Sequence, residues 1–240
     1  MIVAAGLLAT SAITSCKKEV KSNNPSTPNN TTNVRQPGEV EISSLNFYDK
    51  NMNPLDSNDI NANLDYLIAI TPINDTVANA IYFESEDDAY NHIVANNIMP
   101  ELKNRIEIVR ILRNIVTAEN IDVNSDTHSS QVLQNYIDSI SGTNALLKVT
   151  ALGAFYEHYV FPGTPYGSTS AIVPAPRWTL GSFNNKASAA RVSLGSCTVF
   201  DNRWWRGKAI FMFGTAETLF GFTPQSATGW DFNDRVESYL

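Results

Sequence analysis

Phe200-Asp201-Asn202-Arg203-Trp204-Trp205-Arg206-Gly207, followed by Asn233-Asp234-Arg235-Val236-Glu237-Ser238, repeats in outline two earlier segments, Tyr156-Glu157-His158-Tyr159-Val160-Phe161-Pro162-Gly163 and Asn184-Asn185-Lys186-Ala187-Ser188-Ala189. Each half reads aromatic-x4-aromatic-x-Gly and then opens a six-residue loop on Asn-Asn or Asn-Asp. The hairpin positions are 44 apart in the two halves and the loops 49 apart, so the repeat absorbs five extra residues in a connection. Glycine after an aromatic corner permits positive φ where a hairpin folds over, and a β-carbon there costs free energy. Gly163 and Gly207 therefore read as backbone requirements. Val192-Ser193-Leu194, Cys197-Thr198-Val199-Phe200 and Ala209-Ile210-Phe211-Met212-Phe213 are short apolar or alternating runs bounded by turn residues, which read as strands. Several such strands argue for an all-β sandwich in this part of the chain.

Over residues 146–240 these four elements resemble the paired Greek-key motifs of the βγ-crystallin superfamily. The family pattern is aromatic-x4-aromatic-x-Gly on the first hairpin and N/D-N/D-x-x-S/T-S on the calcium loop. The resemblance implies a two-Greek-key sandwich with Ca2+ as its cofactor. In that family an ion is shared between motifs: one loop gives its third-position carbonyl and fifth-position side chain, and the other motif's first hairpin gives further oxygens. Carried over, one site combines Glu157 with Arg235 and Glu237. The second combines Asp201 with Lys186 and Ser188, with Asn185 and Asp234 as loop neighbours that bind or brace.

An oxygen-only set suits calcium, which takes six to eight hard donors, and does not suit transition metals. Glu237 departs from the pattern, since a carboxylate replaces Ser or Thr and either tightens the site by its charge or spoils it by its length. Ala189 replaces the last serine of the first loop, while Ser238 keeps it in the second. Asn-led turns also form without any metal, because Asn and Asp side chains bond to nearby backbone and tolerate left-handed conformations.

At the other end, the apolar run Ile2 to Ile13 stops at Ile13-Thr14-Ser15-Cys16 and turns charged at Lys17-Lys18-Glu19. This resembles a bacterial lipoprotein signal, residues 1–15, with lipidation expected at Cys16. The run is shorter than the roughly 20 residues a spanning helix needs. No Lys or Arg precedes Cys16, a departure that leaves open a start upstream of Met1. Residues 16–38 form an Asn-, Ser-, Thr- and Pro-rich stretch with almost nothing apolar to bury, expected as a disordered tether. Lys17 after the cysteine fits outer-membrane sorting, and the tether resembles those of Bacteroidota lipoproteins. Membrane attachment through the lipid, on the periplasmic or the outer face, is the implied placement.

The 17 Lys and Arg against 24 Asp and Glu give a formal net charge of −7, which offers no electrostatic case for nucleic acid. With Cys16 lipidated, Cys197 has no partner and reads as a buried strand residue. The chain has no His-Glu-x-x-His helix, no Gly-x-Ser-x-Gly elbow and no phosphate-binding glycine loop, so a non-enzymatic role is expected.

Residues 39–145 have a different texture. Val40 to Tyr48 and Tyr66 to Thr71 read as strands, and Ser85-Glu86-Asp87-Asp88 as a capping box opening a helix. Leu102, Ile106, Val109, Leu112 and Val116 recur at helical spacing, and Val132, Leu133, Tyr136, Ile137 and Ile140 continue the habit. The whole is expected to be α+β: a small, mainly helical region, separate or packed on the sandwich, before the crystallin-like domain. Asp49-Lys50-Asn51-Met52-Asn53 is not an EF-hand, because Pro54 and Ile60 stand where Gly and Glu are demanded. The closing strand after the second loop is expected to be very short, or to lie beyond Leu240.

The alternative function is a protein- or glycan-binding module, such as a protease inhibitor or adhesin. Relatives of the resembled fold include small bacterial metalloprotease inhibitors. Aromatic anchors favour such surfaces. Trp205 fills the inward aromatic position, so Trp204, its neighbour on the opposite strand face, is the expected exposed contact.

Overall fold

The computed structural model describes residues 39–56, 59–61, 63–124, 130–143, 153–158, 166–171, 176–222 and 232–240. Cys16, the tether and Gly163 lie outside these. The alternating apolar runs become strands: β1 (Glu39–Ile42), β2 (Ser44–Asp49), β3 (Leu67–Pro72), β4 (Val77–Phe83), β5 (Gly153–His158), β6 (Tyr166–Ala171), β7 (Ala189–Asn202), β8 (Arg206–Gly221) and β9 (Ser238–Tyr239). Three helices, α1 (Glu86–Asn96), α2 (Pro100–Ala118) and α3 (Gln131–Thr143), complete an α+β architecture.

Everything hangs on the long β7–β8 hairpin, paired antiparallel from Ala189↔Gly221 to Asn202↔Arg206. Its register shifts between Ser193 and Gly195, and the two halves on either side recruit different neighbours. At the tip, β3 runs parallel to Ala209–Met212 of β8 and β9 pairs with Val199 and Phe200 of β7. At the base, β1 runs parallel to Glu217–Phe220 of β8, and β5 pairs with Ala189–Val192 of β7. Strand β4 joins β3, β2 joins β4, and β6 joins β5. Gly214 permits the crossover, since a β-carbon there would lie 2.9 Å from the Val192 carbonyl oxygen.

Period-two alternation sorts the strands between two cores. Ile68, Ile70, Cys197, Val199, Ile210 and Met212 from the tip half meet Phe155, Ala190, Val192 and Phe220 from the base half in one buried cluster. Leu67, Ala69, Phe211 and Phe200 point the other way, onto Leu102, Ile106, Val109, Leu112, Leu133 and Ile137 of the helices. The helices thus pack on the sheet. The described residues from 39 onward fall in one compact unit, in which β1 and β3 pair with β8.

Helix α1 starts where Ser85 Oγ accepts from the Asp88 N–H at 3.1 Å, with Glu86, Asp87 and Asp88 at its positive end. Pro100 opens α2, and all five spaced apolar residues of that helix are buried. Arg105 shares the buried face, its Nη2 donating to the Ser196 carbonyl at 2.9 Å. Val132 of α3, by contrast, is exposed. The rejected EF-hand segment is an Asx turn, with Asp49 Oδ1 accepting from the backbone N–H groups of Asn51 and Asn53. No described helix is long and apolar enough to cross a membrane.

Candidate functional site

The two Asn-led loops face each other and bond reciprocally. The Ser188 N–H donates to the Tyr156 carbonyl at 2.8 Å, and the Glu237 N–H donates to the Phe200 carbonyl at 3.0 Å. The Asn185 N–H donates to Val236 O at 3.2 Å, and the Asp234 N–H donates to Ala187 O at 3.1 Å. Phe222 N–H reaches Ser188 O at 2.6 Å, while Leu180 N–H reaches Glu237 O at 2.9 Å. Phe183 and Phe232 precede the loops as buried anchors, and Ala187 and Val236 are fully buried within them. Asn185 and Asp234 both adopt left-handed backbone, at φ 57° and 55°, which short polar side chains tolerate. The sequence offset therefore has a counterpart in the fold.

Side chains diverge where the backbones agree. Ser188 is buried, and its Oγ lies 2.8 Å from the Glu157 carbonyl oxygen and 3.2 Å from Asp234 Oδ1. At the equivalent position of the second loop, Glu237 Oε1 accepts from Asn185 Nδ2 at 2.7 Å and Oε2 lies 3.4 Å from Arg203 Nε. Each loop's fifth residue thus meets the second residue of the other loop. Glu157 meets Ser188 rather than Glu237, because the Ser188 N–H ties the first loop to its own hairpin.

Asp201 does not join Lys186 and Ser188 by its side chain. Its Oδ1 accepts from Lys208 N–H at 2.8 Å and Asn202 Nδ2 at 3.2 Å, inside its own hairpin. Burial pushes its carboxyl up to about 6, against the opposing pull of the Lys208 N–H and ammonium. Lys186 and Arg235 are exposed at the third loop positions, where only their carbonyls were implicated. Ser238 closes the second loop: its Oγ donates to Asn202 O at 2.6 Å and accepts from Trp205 N–H at 3.1 Å. Ala189 forgoes those bonds. Among the described residues no three His, Cys, Asp or Glu side chains converge; the oxygens that do converge are a carbonyl, a hydroxyl and a carboxylate.

Trp204 is corrected. It is 1% exposed and sits in a tight 3-10 turn, Arg203–Trp205, rather than in a strand. Its φ of 59° turns the ring inward, where it stacks on Trp178, so strand alternation does not apply there. Beside this turn a cleft of about 630 Å3 opens, lined by Asp65, Asn124, Asn202, Arg203, Arg206 and Glu237. Comparison with protein-family models, curated proteins and solved structures returned no match for this chain.

Proposed function

We propose that this chain is a lipid-anchored, extracytoplasmic calcium-binding protein in which Ca2+ bridges two Greek-key motifs of βγ-crystallin type. Strand order supports the motif reading. Within residues 146–240 the base half runs β6–β5–β7–β8 and the tip half β8–β7–β9 with Arg177 bridged to Tyr239 beyond β9, while β1 and β3 extend these halves on the far side of β8. The segment before each loop thereby joins the sheet built by the other motif. Ile13-Thr14-Ser15-Cys16 and the tether support lipid anchoring at an outer membrane, and both lie outside the described residues.

One observation carries the calcium reading. Ser188 Oγ is within hydrogen-bond distance of both the Glu157 carbonyl and Asp234 Oδ1, yet a hydroxyl has a single hydrogen to give. Three oxygens from three separate stretches of chain meet with one proton among them. A hard cation satisfies such a group, and the Lys186 carbonyl completes the protein's share of the donors on this reading. The bound ion would tie the first hairpin to both loops. At 100 times its dissociation constant it would stabilise the fold by about 2.7 kcal/mol.

The test is thermal unfolding of the full chain in Ca2+ and in chelator, with Ser188→Ala and Asp234→Asn alongside. The midpoint should rise with Ca2+ in the wild type and stay fixed in Asp234→Asn. A wild-type midpoint indifferent to Ca2+, with no heat of binding in calorimetry, would overturn the proposal. With Trp204 buried, the protein- or glycan-binding alternative loses the residue on which it rested.

A further inference from the structure

The two half-sites are built on the same backbone and filled differently. Ser188 Oγ contacts both the Glu157 carbonyl and the Asp234 carboxylate, whose other oxygen accepts from Asn233 Nδ2 of its own loop at 3.2 Å. Among the described residues Asp234 takes part in no ion pair, so the group carries a net negative charge. Around Glu237 the arrangement is inverted. The carboxylate stands on the loop's fifth position, and both of its oxygens face donors, the Asn185 amide at 2.7 Å and the Arg203 guanidinium at 3.4 Å. The Glu237 and Arg203 side chains are 18% and 29% exposed, partly covered at the wall of the cleft described above.

Arg203 is held in place by its neighbours. It begins the 3-10 turn Arg203–Trp205, whose next residue donates its N–H to Trp178 O at 2.9 Å and stacks its ring on Trp178 with centroids 5.5 Å apart. Trp205 follows, fully buried, with its Nε1 donating to Tyr239 O at 2.9 Å. A guanidinium delivered from so fixed a backbone is preorganised.

We infer that Arg203 is a built-in substitute for a metal ion: its guanidinium fills the half-site at Glu237, so the module binds one Ca2+ per chain, at Ser188 and Asp234. This rests on the calcium reading above. The lengthened side chain at position 237 and the arginine work as a pair, since the glutamate reaches a cation that arrives from the hairpin rather than from solvent. One half of the module is locked permanently, and the other responds to calcium.

The experiment is the stoichiometry of Ca2+ on the full chain by calorimetry, with thermal midpoints in Ca2+ and in chelator, for wild type, Asp234→Asn, Arg203→Ala and Arg203→Lys. The wild type should bind one ion and Asp234→Asn none. Arg203→Ala should lose stability in chelator, bind a second ion and show a larger calcium-dependent rise in midpoint than the wild type. Arg203→Lys, which keeps the charge, should stay at one ion. Two ions on the wild type, or still one on Arg203→Ala, would overturn the inference and leave the calcium reading standing. No ion on the wild type would remove the calcium reading itself. If Arg203→Ala does not fold, Arg203→Gln serves in its place, and the wild-type count still decides.

Discussion

Trp204 lies flat on Trp178, with ring centroids 5.5 Å apart and planes 8° from parallel. Its Nε1 donates to the Val123 carbonyl at 2.9 Å, which joins the hairpin tip to the segment after α2. Trp204→Ala should therefore cost about 3–5 kcal/mol of stability through a cavity in the helix-side core. Chemical denaturation followed by far-UV circular dichroism measures it, and a loss under about 1 kcal/mol would show that the ring is not packed as described.

Gly207 serves the hairpin in two ways. Its φ is +75°, and a β-carbon there would lie 2.1 Å from Asp201 Oδ1 and 2.3 Å from Asn202 Nδ2. Gly207→Ala should cost more than the roughly 1–2 kcal/mol of a left-handed residue alone, because the Asp201 contact to Lys208 must also move. The shift in urea midpoint at unchanged slope is the readout.

Asp201 gives the fold a pH dependence of definite sign. Burial raises its carboxyl from 3.8 to about 6, so the folded state holds this proton more tightly than the unfolded chain does. The contribution is fully present below pH 4 and is lost as pH rises through about 6. In chelator, Asp201→Asn should flatten the decline in stability between these values. An unchanged slope in the variant would assign that dependence to other groups.

Cys197 is buried in the core shared by the two halves of the sheet, and burial pushes its thiol up to about 12. The thiolate that reacts with disulfide reagents is thus nearly absent at pH 8. Folded protein should leave Cys197 unmodified by such a reagent over hours, with full modification once denaturant is added. Prompt labelling of folded protein would mean that the tip half opens locally.

The sequence carried the repeat well because its positions are backbone requirements. Asn185, Asp234 and Gly207 all occupy positive φ, and such positions restrict residue type whatever surrounds them. Pairing between loops was harder to read. The tie from Ser188 N–H to Tyr156 O uses main-chain atoms that every residue owns, so nothing in the side chains announced that Ser188 would meet Glu157 instead of Asp201. Trp204 was misplaced because alternation was extended through a turn whose left-handed backbone has no period of two. Strand β4 was overlooked: its first two buried positions, Ala78 and Ala80, are small, and Ala80 and Ile81 are buried in succession, which breaks the period of two. Arg105 is buried despite its charge, because its guanidinium reaches a main-chain carbonyl across the interface with β7, a contact that apolar spacing does not announce.

The parallel pairing of β1 and β3 with β8 has a consequence for how the molecule is made. Glu39 waits for Glu217, and Leu67 for Ala209, so the earliest strands to leave a ribosome are completed by nearly the last. Contacts so distant along the chain slow folding, and until they form, the edges of β1 and β3 stand open to any passing strand. A chain that cannot finish its sheet until its final third has emerged stays incompletely folded for longer. During the same delay those early edges are the part of the chain most open to mispairing.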